Sequence, residues 1–388
     1  MARSLLFFLL IASSLVGAIC KDDVHKLQQK GRANLEHRLA KSKTCTKKNL
    51  RVRREWGDIS KKERREYIAA MLCLMSRPSR LDQTEYPGAK TRYDDFVAVH
   101  INQTLAIHGT GSFLAWHRYF TWSFERVIRE ECGYTGTQPY WNWGKWASDP
   151  AKSPLFDGSD TSFSGNGAMI DHEDTDYYPA GPGGGCIHSG PFVNMTVRLG
   201  PLSPQANPAP APNPLSNGMG DNPRCVRRDI TNYLSSRFTR TEDMVVLITN
   251  STDILTFQDR MQAVNTRPWD LEKTYNPAEH NGMPLFGVHA GGHHTIGGDP
   301  GGDFFTSPND PAFYAHHSGI DRTWAIWQWL DLENRTEQIA GGTFMFDPVN
   351  SPRQTLDDVV DLGVVGNKVW RIRDLVSTVD GPFCYTYE

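Results

Sequence analysis

A chain of 388 residues with 41 lysines and arginines against 44 acidic residues has a formal net charge of −3, which excludes the broadly basic surface of a nucleic-acid-binding protein. Aromatic residues at 11%, with 11 tryptophans among them, are too much bulky apolar mass for a disordered chain. At the start, Arg3 precedes an apolar run closed by the small residues Gly17 and Ala18, so residues 1–18 read as a secretory signal peptide and the mature protein as extracellular. That run is shorter than the roughly 20 apolar residues needed to cross a bilayer. No later stretch is longer, so no membrane partner is expected.

Residues 19–48 are basic and weakly apolar, without a trustworthy period, and read as a solvated arm or pro-segment ahead of a single domain over 49–388. The first helical pattern lies in REWGDISKKERREYIAAMLCLMSR, where Trp56, Ile59, Tyr67, Ala70, Met71 and Leu74 share a face. Thr91 and Asp94 form a capping box for a second helix burying Tyr93, Phe96, Val97 and His100. A third begins near His117 and continues through Phe120, Phe124, Val127 and Ile128. A long stretch rich in turn residues follows, including GPGGG at Gly181 and the proline-rich segment from Pro201, and reads as a surface loop. A fourth helix covers Phe286 to His294, and a fifth runs from His317 through Trp324 and Trp327 to Leu330.

In an exported chain cysteines tend to pair. With Cys20 at the leader boundary, Cys45, Cys73, Cys132, Cys186, Cys225 and Cys384 suit three disulfides, and we expect Cys45 with Cys384, joining the two ends. Sequons at Asn102, Asn194, Asn250 and Asn334 fit a glycoprotein.

The placement of the histidines is more informative. His100, His108 and His117 form one group, His289 and His293 are i, i+4 on one helix face, and His316 and His317 open the last long helix. Neutral imidazole suits copper, zinc, iron and nickel alike, so these residues alone do not select a metal. The glutamate of a zinc protease is absent from the HxxxH, which holds Ala290, Gly291 and Gly292 instead. Two glycines cost a helix about 1 kcal/mol each relative to alanine, so something must approach that helix closely.

The run GSFLAWHRYFTWSFERVIRE around His117 and the run SPNDPAFYAHHSGIDRTWAIW around His317 resemble the two copper signatures of tyrosinases and catechol oxidases, and the ending GPFCYTYE resembles the tyrosine motif that closes their catalytic domain. The resemblance implies a mainly α fold, an antiparallel four-helix bundle holding two copper ions, with long loops and minor β-structure. It implies His100, His108 and His117 at the first copper and His289, His293 and His317 at the second, with His316 a neighbour that does not ligate. Asp321, one turn after His317, either accepts a ring N–H or pairs with an arginine. Many relatives crosslink the second histidine of the first copper to a cysteine, but Ala106 stands nearby and no thioether is expected. No shielding domain follows the tyrosines, so activation by removal of one is not expected.

The activity implied is oxidation of o-diphenols to o-quinones by dioxygen. Alternatives are a full tyrosinase that also hydroxylates monophenols, a hemocyanin-like dioxygen carrier, and a histidine-built zinc hydrolase. Glu279 is expected to hold a catalytic water. Ala290, where efficient hydroxylators often have asparagine, and Phe304, near the family's gate position, point to weak monophenol hydroxylation. The partners are then a small phenol and dioxygen; the oligomeric state is left open.

Overall fold

The computed structural model describes residues 23–203, 206–263, 286–345 and 351–388. Its principal helices are α1 (Asp23–Lys41), α2 (Lys61–Ser76), α3 (Arg92–Ile107), α4 (Phe113–Cys132), α5 (Asn232–Phe238), α6 (Thr241–Asn250), α7 (Ile254–Gln262), α8 (Gly287–Ile296) and α9 (Ala312–Trp329). The histidine-bearing helices α3, α4, α8 and α9 make up the bundle. Five residues join α3 to α4, short enough to return the chain antiparallel alongside. Every residue of α9 is buried, which makes it the central helix.

The expected capping box opens α3, whereas three other helices start elsewhere than expected: Trp56 and Ile59 precede α2, α4 begins at Phe113 rather than near His117, and α9 begins at Ala312 rather than at His317. Ser60 and Glu63 cap α2 reciprocally, as Thr91 and Asp94 cap α3, so orphan N–H groups at both starts are satisfied. The helix α4 stops at Gly133, whose φ of 70° is the left-handed conformation that releases the chain. Among the described residues the strands pair as two-stranded ladders. β1 (Arg51–Arg53) runs parallel to β8 (Tyr385–Tyr387), while β2 (Gly167–Met169) pairs with β3 (Gly184–Ile187), β4 (Thr196–Val197) with β5 (Arg224–Cys225) and β6 (Val359–Val360) with β7 (Trp370–Arg371). No helix among the described residues is long and apolar enough to cross a membrane.

Two expectations are corrected. The segment beginning at Asp23 is not a solvated arm. It is the helix α1, with Val24, Gln28, Gly31, Leu35 and Leu39 buried along one stripe. Gln28 donates to the Tyr387 carbonyl at 2.8 Å and accepts from Arg322 at 3.0 Å, and Asn34 donates to the Trp329 carbonyl at 2.9 Å. The period is weak in sequence because a glutamine and a glycine occupy two of the five buried positions. Leu35→Ala should therefore destabilise the protein by about 2–5 kcal/mol, the usual cost of emptying a buried leucine site, read from a urea titration. An unchanged midpoint would mean that the helix contributes nothing.

Nor is the stretch between α4 and α8 simply a surface loop. It contains α5 to α7, and it sends Phe156, Phe163, Phe192, Val197, Leu199 and Ile230 into the main core. Its turn-rich composition is real, but those apolar residues are too scattered to show a period.

Three disulfides are formed, Cys45–Cys384, Cys73–Cys132 and Cys186–Cys225. The first ties the end of α1 to the C-terminal strand, as expected. All six cysteines after Cys20 are consumed, so none is left for a thioether at His108. The signal-peptide residues lie outside the described ones.

Candidate metal centre

Seven imidazoles from the four bundle helices meet in the interior. The ligating atoms of His100, His108 and His117 lie within 4.8 Å of one another, as do those of His289, His293, His316 and His317. The groups face each other: the rings of His117 and His317 stack at 4.6 Å, and those of His108 and His289 are 5.8 Å apart.

The first group is oriented ring by ring. Carbonyl oxygens can only accept, so each Nδ1 beside one must carry the proton. His100 donates to Phe305 at 2.8 Å, His108 to Thr104 at 2.9 Å and His117 to Phe113 at 2.8 Å. Each Nε2 is thereby left as a bare lone pair, the usual way in which an outer partner fixes a metal-binding imidazole. In the second group His293 Nε2 and His317 Nε2 stand 3.1 Å apart, so at least one of the two is a lone pair when both rings are neutral. Burial pushes all seven imidazoles below the ordinary histidine range, His108 to about 4 and His316 to about 3. Neutral rings are the form that binds a metal.

The Nε2 atoms of His100, His117, His289 and His316 and the Nδ1 atom of His317 are buried without any hydrogen-bond partner. Orphaned buried nitrogens are costly, and metal ions would satisfy those that carry a lone pair. An all-imidazole set of this kind fits copper. Aromatic walls complete the site, with Phe113 packed at 4.9 Å from both His117 and His289, and Phe313 stacked on His317 at 4.1 Å.

The close approach implied by the two glycines has a definite cause. A Cβ at Gly292 would collide with the His316 ring, and one at Gly291 would press on Phe238 and Thr239.

Phe304 is half-buried with its ring 4.5 Å from that of His108. Asp303 anchors it, accepting the backbone N–H groups of Leu202, Ser203, Phe305 and Thr306. Ala290 is half-buried and packs on Leu234, Phe238 and Phe286. Glu279 lies outside the described residues.

The two readings of Asp321 are separated. Among the described residues its carboxylate accepts from Arg118 at 2.5 Å, Arg53 at 3.4 Å, Tyr385 at 2.6 Å and Tyr387 at 2.5 Å, and from no imidazole. Burial raises this carboxyl, but the two guanidinium groups and the two phenols overcome it and hold it below the ordinary carboxylate range. Asp321 thus follows the second reading, pairing with arginines, and joins α9 to α4, β1 and the C-terminal strand rather than serving the chemistry as an acceptor for a ligand ring.

Sequence reasoning missed the carbonyls that orient the rings. Two of them had a signal, since Thr104 and Phe113 stand four residues before His108 and His117, as a helical backbone acceptor would. The third, Phe305, had none.

With the geometry in view, three comparisons bear on the centre. Residues 90–330 match the model for the common central domain of tyrosinase. The chain is similar to tyrosinase P of Aspergillus terreus, 38% identical over 347 residues that cover 87% of this chain and 91% of that protein. It is also similar to a tyrosinase-like protein of Emericella nidulans, 39% identical over 371 residues, covering 90% and 92%. Among solved structures, a polyphenol oxidase from Thermothelomyces thermophila superposes with a TM-score of 0.84 at 39% identity, covering 94% of this chain and 98% of that one.

Proposed function

The chain belongs to the tyrosinase family, whose centre is a binuclear copper site, and on that premise we propose that it is a secreted enzyme that oxidises o-diphenols to o-quinones with dioxygen. Its hydroxylation of monophenols is weak or absent. His100, His108 and His117 hold one copper, and His289, His293 and His317 hold the other. The observation that carries this reading is the pair of facing groups of buried, neutral imidazoles with lone pairs turned inward. Three disulfides and four sequons favour the extracellular location.

When bound, a copper pair supplies two one-electron couples, so that dioxygen and a diphenol can exchange electrons in pairs. The balance is two diphenols oxidised to two quinones as one dioxygen becomes two waters. The chain does the rest. The carbonyls of Thr104, Phe113 and Phe305 keep three rings in one tautomer, Phe113 and Phe313 exclude water from the imidazoles, and the half-buried Phe304 stands over His108, where it hinders a phenol from turning toward the first copper. Glu279 is proposed to hold the water that takes the substrate proton, and Ala290 offers that water no amide to orient it.

The test compares kcat/KM for tyramine and dopamine in wild type, Ala290→Asn and Phe304→Val. We expect dopamine oxidation to dominate in wild type and tyramine hydroxylation to rise in both variants. Wild-type hydroxylation of tyramine close to the dopamine rate, without a long lag, would overturn the monophenol part. A protein that binds dioxygen but turns over no catechol would instead be a carrier.

A further inference from the structure

His316 presents a problem that the family reading leaves open. Its ring lies in the same cluster as those of His289, His293 and His317, 4.4 Å from the His293 ring and 5.8 Å from the His289 ring, close enough to be a fourth nitrogen ligand. A fourth imidazole on the second copper would compete for the position that substrate needs, because catalytic metal sites keep one open. Something must keep His316 from binding.

The structure supplies it in Trp143, on the single helical turn Trp143–Trp146. Its indole Nε1 donates to His316 Nδ1 at 3.0 Å, and both side chains are buried. An indole N–H is a donor only, so Nδ1 must be the acceptor, and a neutral His316 must carry its proton on Nε2. One nitrogen is occupied by the indole and the other by a hydrogen that is buried without an acceptor, so neither offers a lone pair. This is the reverse of the first group, where the carbonyl acceptors force the proton onto Nδ1 and free Nε2. Indole and Gly292 act together: the glycine makes room for the ring and the tryptophan fixes its tautomer.

We propose that Trp143 is a positioning residue that locks His316 in a non-ligating tautomer and so keeps its ring out of the ligand set that would hold the second copper. The inference rests on the ligand set proposed above. Without the indole N–H, the His316 proton can move to Nδ1, and Nε2 then competes for the metal.

Wild type, Trp143→Phe, His316→Leu and Trp143→Phe/His316→Leu are to be compared in copper content, catechol turnover and thermal unfolding. Trp143→Phe should keep its copper yet lose about 10- to 100-fold in kcat, the range typical when an outer partner of a metal site is removed. The double variant should regain most of that loss, because the competing ring is gone and neither partner is left unpaired. Long-range proton–nitrogen correlation on copper-free protein labelled in its histidines should show His316 protonated at Nε2 in wild type and mixed in Trp143→Phe. A double variant no better than Trp143→Phe, or a wild-type ring protonated at Nδ1, would overturn the lock. Should wild type bind no copper or leave catechol unchanged, the ligand reading fails while the tautomer measurement still decides the state of the ring.

Discussion

Replacing His117 or His317 by alanine is expected to remove one copper per chain and to abolish catechol oxidation, a larger effect than the roughly 10- to 100-fold loss typical of an outer partner. The two rings stack at 4.6 Å across the junction of the histidine groups, one from α4 and one from α9, so each deletion opens the centre from the middle. His316→Leu, one residue away on the same helix, is expected to keep both coppers and most of the turnover. The contrast between His316 and His317 is the informative one, because both rings are buried in the same cluster and differ in their hydrogen bonds. Metal analysis of the purified variants, with thermal unfolding as a check on folding, decides it. Retained activity in His317→Ala together with loss in His316→Leu would exchange the two assignments.

The second large effect is on stability. Asp321→Ala should destabilise the protein by about 3–5 kcal/mol, the range for stranding a buried charge. Arg118 would lose its carboxylate, and Arg53 would retain one carboxylate, Glu125, which its Nε and Nη2 approach at 3.0 and 2.5 Å. Two phenols would lose an acceptor as well. Tyr387→Phe removes a hydrogen bond to the charged carboxylate and an acceptor of Arg53 Nη1 at 3.1 Å but leaves both guanidinium groups their carboxylates, and should cost less, about 1.5–3 kcal/mol. Denaturant titrations of both variants test the order. Equal losses would mean that the phenols rather than the guanidinium groups dominate the network. Because Arg118 adjoins His117 and Asp321 lies one turn after His317, the same network sets the two halves of the centre against each other. Copper content should therefore fall with stability in Asp321→Ala.

Legibility in the sequence followed locality. The helices α2, α3, α4, α8 and α9 were readable because apolar spacing and capping residues act within a few positions, and the capping box expected at Thr91 formed, while the one at Ser60 was present but not read. The histidines were readable as two groups because each group lies on one helix or on neighbouring helices. The helix α1 was not readable, since Gln28 and Gly31 are buried only because Tyr387, Arg322 and Trp329, some 300 residues away, receive that helix.

By itself, the sequence determined the chemistry available to this protein: seven imidazoles on apolar helices, six cysteines to pair, and two glycines marking a close approach. Tertiary structure alone decided what each group does. Phe305 reaches His100 across 205 positions and Trp143 reaches His316 across 173, and these contacts choose which ring nitrogen holds the proton. The same is true of Asp321, where sequence allowed an imidazole or an arginine as partner and the packing of α4, β1 and β8 around α9 selected two arginines and two tyrosines. The physical reason is that a residue's type sets which bonds it can make, whereas tautomer, partner and burial depend on which distant atoms the fold brings within about 3 Å.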